Sequence, residues 1–136
     1  MEKIAIYGAS GHGKVVADIA RLNGYDEIIY IDDGVNDYMS FEKFLLQNLQ
    51  VPVAFGVGVN HVRAKLYLKC VDNDLNIITL IHPSAVISSN VTIEEGTVIM
   101  AGVVVNADTK IGKCCIINTS CVIEHDNVIG DFVHIS

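Results

Sequence analysis

Three groupings in the 136-residue sequence combine residue types and spacing that can do chemistry. Gly8-Ala9-Ser10-Gly11-His12-Gly13 follows the apolar run Lys3 to Tyr7 and leads into a helical stretch, Lys14 to Asn23. Strand, glycine turn and helix, in that order, make a phosphate cradle, because glycine tolerates positive φ and the free N–H groups of a helix start point at the anion. The spacing is GxxGxG rather than the dinucleotide GxGxxG, which leaves a purely structural turn as the alternative. Asp32-Asp33-Gly34 closes the next strand-like run, Glu27 to Ile31, where open α/β folds place an acid against a ribose or a base; the plainer reading is the start of a loop. The third grouping is His125-Asp126. An imidazole titrates near working pH and can act as a general base if a neighbouring carboxylate fixes its tautomer; the alternative is an exposed corner residue.

The first two groupings need a sheet to hold them. After Asp33 the sequence reads helix-like over Tyr38 to Leu49, strand-like over Val51 to Val57, as an amphipathic helix over Asn60 to Val71, and strand-like over Ile77 to Ile81. That alternation predicts a parallel sheet with helical crossovers, about half of a doubly wound dinucleotide fold. An acid following a glycine turn raises an NAD-type reading, but no second mononucleotide half follows to hold a nicotinamide, which counts against a dehydrogenase.

The third grouping lies in a different pattern. From residue 85 a period of six takes over, with Ile87, Ile93, Ile99, Val105, Ile111, Ile117, Ile123, Ile129 and Ile135 in one register. Two residues before each comes a residue that is almost always small or β-branched, Ala85, Val91 and Thr97 among them, and in this register Cys115 and Cys121 are packing residues. Neither a helix nor an ordinary strand has this period; a parallel β-helix does, with three hexapeptides to a coil. His125 follows an inward aliphatic by two places, so its ring projects from a corner.

Composition narrows the partners. Apolar residues make up 51% of the chain and charged residues 18%, which excludes disorder. A net charge of −7 with no basic block gives no footing for nucleic acid. The longest apolar stretch, Val98 to Val105, is far short of the roughly 20 residues of a spanning helix, and the start lacks a secretory pattern, so a cytoplasmic location with no membrane insertion is expected. Cys70, Cys114, Cys115 and Cys121 show no CxxC pair, and the histidines lack ligand spacing, so no metal is expected.

Together, GASGHG, Asp32-Asp33, the linker LIHPSAVIS, the hexapeptide ladder and the stretch 118–136 resemble the left-handed β-helix sugar acetyltransferases, a class that O-acetylates sialic acids or N-acetylates UDP-4-amino-4,6-dideoxy sugars. The resemblance implies an α/β chain with a small Rossmann-like parallel-sheet domain, 1–82, followed by a left-handed parallel β-helix, 83–136. It further implies acetyl-CoA as co-substrate, a nucleotide-linked amino sugar as acceptor, and a homotrimer with acetyl-CoA between subunits. In such proteins the histidine matching His125 is the general base, and Asp126 stands where glutamate is usual. Gly8, Ser10, Gly11, His12 and Gly13 match the segment on the sugar-nucleotide phosphates, Asp32 and Asp33 the acidic pair near uridine, and Asn118 a substrate contact. His134 matches a position near the acetyl-CoA thioester. Asn60 and Arg63 match a Gly-Asn-Asn-x-x-Arg segment from which Val59 departs, and are expected to do no more than cap a helix. Relatives continue for further coils, so a shortened chain is expected, one that holds the nucleotide sugar and binds acetyl-CoA weakly. The flank Met100-Ala101-Gly102-Val103 is expected to pack on a neighbouring subunit. An O-acetyltransferase on a free sugar, or a binding protein without activity, are the alternative functions.

Overall fold

The computed structural model describes residues 2–136. The first strand, β1 (Lys3–Tyr7), is central in a parallel sheet, flanked by β2 (Glu27–Ile31) and β3 (Val53–Phe55). Helices α1 (Gly11–Leu22), α2 (Phe41–Gln47) and α3 (Asn60–Asp72) make the crossovers. Apolar residues run almost unbroken through β1 because both faces are covered: Ile4 and Ile6 pack against Val16, Ala17 and Ala20 of α1, while Ala5 and Tyr7 pack against Phe41, Phe44 and Tyr67.

The expected fourth strand of this sheet is not there. Ile77 makes one isolated bridge to Val53, and Leu80–Ile81 pairs instead with Val98–Ile99, as the first rung of the solenoid. Two-residue strands follow at the hexapeptide period: β4 (Leu80–Ile81), β5 (Val86–Ile87), β6 (Thr92–Ile93), β7 (Val98–Ile99), β8 (Val104–Val105), β9 (Lys110–Ile111), β10 (Ile116–Ile117), β11 (Val122–Ile123), β12 (Val128–Ile129) and β13 (His134–Ile135). They form three parallel faces, β4-β7-β10-β13, β5-β8-β11 and β6-β9-β12. Both sequence registers point inward, where Ile99, Val105, Ile111, Ile117 and Ile123 stack with Val103 and Cys115. Residues such as Asn90, Asp108 and Asp126 turn one set of corners in the left-handed backbone region, at φ 57, 61 and 58°.

The two parts share a buried boundary. Leu80, Val98 and Ile116 point outward from the first solenoid face into the core that also contains Ile4, Ile6 and α1. Met100 joins them at 5% exposure and Val103 points into the coil, so these two side chains are covered by the chain itself, while Ala101 is half-buried and Gly102 exposed. Polar ties reinforce the boundary. Asn23 Nδ2 donates to the Ile81 carbonyl at 3.0 Å, Tyr67 donates to Glu95 at 3.1 Å, and the Tyr67 and Phe132 rings meet edge to face.

Candidate functional site

The glycine turn begins where β1 ends. Gly8 has φ of +117°, and a Cβ there would meet Val57 and the Gly56 carbonyl. Gly13 and Gly56 lie so close that a Cβ on Gly13 would overlap the Gly8 carbonyl, and one on Gly56 would overlap the Gly13 Cα. The turn is thus two strand ends and a helix start pressed backbone to backbone, which only glycine permits. Ser10 stands at the N-cap of α1 with no side-chain cap bond, and the first turn holds no acid, so its N–H groups are free for an anion. Gly11 has open space around its Cα.

Beside the turn lies a cleft of about 210 Å³ lined by Tyr7, Gly8, Asp32, Asp33, Val57 and Leu66, among others. The two carboxylates on its rim do different work. Asp32 accepts from Ala9 N–H at 3.0 Å, Gly34 N–H at 2.9 Å and Asn36 Nδ2 at 2.9 Å, and these donors, the Ala9 N–H foremost, hold its pKa below the usual carboxylate range. Asp33 accepts from Phe41 N–H at 2.8 Å, from the Tyr7 hydroxyl, and from Lys69 Nζ at 3.4 Å. Partial burial pushes its pKa up, but the Phe41, Tyr7 and Lys69 partners outweigh that and leave it lowered. Lys69 also donates to the Tyr7 oxygen at 2.9 Å and lies 4.9 Å from the centre of the Phe41 ring. Burial, together with the Asp33 hydrogen bond and charge, raises the Tyr7 pKa, so the phenol stays a donor.

The sequence reading missed Tyr7, Lys69 and the role of Arg63. Lys69 carried a signal, since Val62, Leu66 and Lys69 recur at helical spacing on one side of α3 and the first two line the cleft. Arg63 does more than cap a helix. It is 1% exposed and bonds Asn60 Oδ1 at 2.7 Å, the Val57 carbonyl at 3.0 Å and the Cys114 carbonyl at 2.7 Å, while Val59 is the N-cap. His12 sits half-buried at the start of α1; burial, then the charges of His134 and Arg63, lower its pKa. The Nε2 atoms of His12 and His134 are both buried without a hydrogen-bond partner.

His134 follows Leu80, Val98 and Ile116 in register on the domain-facing side of the solenoid, which brings it toward the glycine turn. His125 and Asp126 stand elsewhere, at an exposed corner between β11 and β12, where Nδ1 of the ring and Oδ2 of the carboxylate are 2.8 Å apart. The Asp126 hydrogen bond, more than any other contact, raises the His125 pKa. With Nδ1 engaged, Nε2 is the ring nitrogen left for a substrate, on a side chain 72% exposed. This corner joins the two faces that do not carry the nucleotide-type domain, so within one chain the cleft and the His125 ring lie on opposite sides of the solenoid. Asn118 lies at another corner, after β10, its Oδ1 accepting from Thr119 N–H at 3.0 Å.

A larger hollow of about 430 Å³, lined by Phe44, Asn48, Val51 and Asn76 among others, opens at the amino-terminal edge of β3. Ligands of open α/β sheets bind at the opposite, carboxyl edge, where the glycine turn and Asp33 lie, so the smaller cleft is the candidate site. Among the described residues no group of three or more His, Cys, Asp or Glu side chains is placed to hold a metal ion, and no helix is long and apolar enough to cross a membrane.

A half-sized nucleotide-type sheet docked on a hexapeptide coil, with an acid-backed histidine at a corner, defines a two-part protein of the left-handed β-helix class. Residues 3–70 match the family described as PglD N-terminal domain. The chain belongs to this family. It is 39% identical over 113 residues to UDP-N-acetylbacillosamine N-acetyltransferase of Bacillus subtilis (strain 168), covering 74% of this chain and 52% of that protein, so it spans about half the length of that curated relative. Among solved structures, a histidine-to-alanine mutant of GDP-perosamine N-acetyltransferase from Caulobacter crescentus, in complex with CoA and GDP-perosamine, superposes with a TM-score of 0.92 at 31% identity, over 98% of this chain and 68% of that one. The acetyltransferase domain of PglB from Neisseria gonorrhoeae, in complex with acetyl coenzyme A, gives a TM-score of 0.86 at 35% identity, over 98% and 69% of the two chains.

Proposed function

We propose that the chain carries the acceptor site and the general base of an acetyl-CoA-dependent N-acetyltransferase acting on the 4-amino group of a UDP-linked amino-dideoxy sugar. The observation that carries this reading is the His125–Asp126 pair, an exposed imidazole with one ring nitrogen held 2.8 Å from a carboxylate. His125 Nε2 takes the proton that the amine loses as its nitrogen adds to the thioester carbonyl carbon. Asp126 holds the other ring nitrogen protonated and stabilises the imidazolium that forms. As the tetrahedral adduct collapses, the carbon–sulfur bond breaks, the amide forms, and His125 returns the proton to the departing sulfur. Acetyl-CoA supplies the acyl group; His134 is kept as a contact near the thioester, and Asn118 as a substrate contact.

Residues 1–82 hold the nucleotide sugar and residues 83–136 the solenoid, with Leu80–Ile81 as the rung common to both. The diphosphate lies at Gly8, Ser10, Gly11, His12 and Gly13, and the nucleoside in the cleft by Asp32 and Asp33. The opposite placement of cleft and His125 within one chain supports a homotrimer in which one subunit's cleft faces its neighbour's corner. Val86 and Val122, 58% and 57% exposed on one solenoid face, are apolar surface suited to that contact. The cytoplasm is the proposed compartment. One relative is named for a UDP-linked sugar and another is complexed with a GDP-linked one, which makes the nucleobase the first thing to test. Calorimetric titration with UDP, GDP and acetyl-CoA is expected to show binding of UDP in preference to GDP; no binding of either nucleotide would defeat the reading.

A further inference from the structure

Arg63 is the largest side chain with almost no exposure, and each of its bonds goes to a neutral acceptor. Nε donates to the Cys114 carbonyl at 2.7 Å, Nη1 to the carbonyls of Val57 at 3.0 Å and Gly58 at 3.4 Å, and Nη2 to Asn60 Oδ1 at 2.7 Å. Among the described residues the ion pairs engage Lys3, Arg21, Lys69 and His125, and none engages Arg63. The nearby thiol provides no hidden counter-ion, because burial pushes the Cys114 pKa up to about 12. A guanidinium stays charged, and a buried charge without an opposite partner is costly, so a folded chain retains one where the charge or its bonding geometry has a use.

Its position shows the use. The carbonyls of Val57 and Gly58 that it grips follow directly on Gly56, the backbone pressed against both Gly8 and Gly13 of the turn. Val57 also lines the cleft. Through Cys114 the same guanidinium ties that loop to the solenoid. We propose that Arg63 is a positioning residue: it holds the Gly56–Gly58 loop against the glycine turn, and its un-neutralised charge favours an anion there, the diphosphate of the nucleotide sugar completing the charge balance. The inference rests on the nucleotide-sugar reading above and deepens it. In support, the field of Arg63 reaches the turn, where it is one of the influences depressing the basicity of His12.

The test compares affinities for UDP and uridine, by calorimetry, in wild-type protein, Arg63→Met and Arg63→Lys. A purely structural Arg63 weakens both ligands alike when replaced. The electrostatic role predicts that Arg63→Met lowers the ratio of UDP to uridine affinity by about 10-fold, and that Arg63→Lys, which keeps the charge, retains the ratio despite a lower melting temperature. A folded Arg63→Met with the wild-type ratio overturns the proposal. If the Met variant does not fold, Arg63→Gln, which keeps hydrogen-bond donors without the charge, takes its place: a ratio lowered by about 10-fold supports the role, and the wild-type ratio overturns it. Failure of wild-type protein to bind UDP or GDP would instead defeat the nucleotide-sugar reading on which this inference stands.

Discussion

The Ala9 N–H in the glycine turn donates to Asp32 Oδ2 at 3.0 Å, a bond that joins the end of β1 to the end of β2 across 23 residues of sequence. Asp32 accepts two further protein donors, from Gly34 and Asn36. It is therefore a brace for the turn before it is a ligand contact. Asp32→Ala should leave the Ala9 N–H without its partner and lower stability by roughly 1–3 kcal/mol. The effect should depend on pH. Because the folded-state pKa is depressed, the carboxylate stabilises the fold above its ordinary value, and that contribution fades as pH falls through the lowered one. Denaturant midpoints at pH 7 and pH 3 test this: the gap between wild type and Asp32→Ala should be narrower at the second than at the first.

At the solenoid corner the expected pH effect has the opposite origin. Asp126 raises the His125 pKa, and a general base must be neutral, so the acid limb of the kcat/KM profile should lie above the ordinary histidine value. Asp126→Asn removes the charge that favours imidazolium. The acid limb should move to lower pH, while the maximal rate falls because the ring loses its orienter. A profile that does not move would show that another group governs the limb.

Glycine positions in the turn separate by what surrounds them. Gly13→Ala drives a methyl into the Gly8 carbonyl and should destabilise by about 1–3 kcal/mol, whereas Gly11→Ala has open space and should change the melting temperature little. Equal melting temperatures for the two variants would contradict the close approach of the three backbones.

Assembly should depend on the outward valines. Val122 is 57% exposed and Val128 is 76% exposed, on two faces that meet at the His125 corner. Val122→Glu places a charge in the proposed subunit contact, and light scattering should fall from trimer to monomer mass with an unchanged far-ultraviolet spectrum. A trimer that survives would move the contact to another face.

Much of this was legible in the sequence because its signals are periodic or local. A period of six fits one architecture, and it placed Ile99, Ile117 and even Cys115 inside the coil, where they are found. His125 and Asp126 are adjacent in sequence, so their hydrogen bond could be foreseen. What escaped depends on contacts distant in sequence. Lys69 meets Tyr7 across 62 residues, and Arg63 meets Cys114 across 51; helical spacing marks the face of α3 on which Lys69 lies but not its partner. Met100 was misplaced because its apolar character is equally suited to a neighbouring subunit and to its own amino-terminal domain. Ile77 to Ile81 reads as one strand by composition, yet it divides between two partners, Ile77 bridging Val53 of the sheet and Leu80–Ile81 pairing with Val98–Ile99 of the solenoid.

The central claim is that His125 is the base for acetyl transfer to a nucleotide-linked amino sugar. Release of CoA thiol from acetyl-CoA, measured with and without a UDP-4-amino sugar, tests it most directly when wild-type protein is compared with His125→Ala. Wild type should release thiol only when the amino sugar is present, and His125→Ala should lose about 100-fold or more of that rate while keeping its melting temperature and its affinity for UDP. A His125→Ala protein that turns over at the wild-type rate would contradict the account.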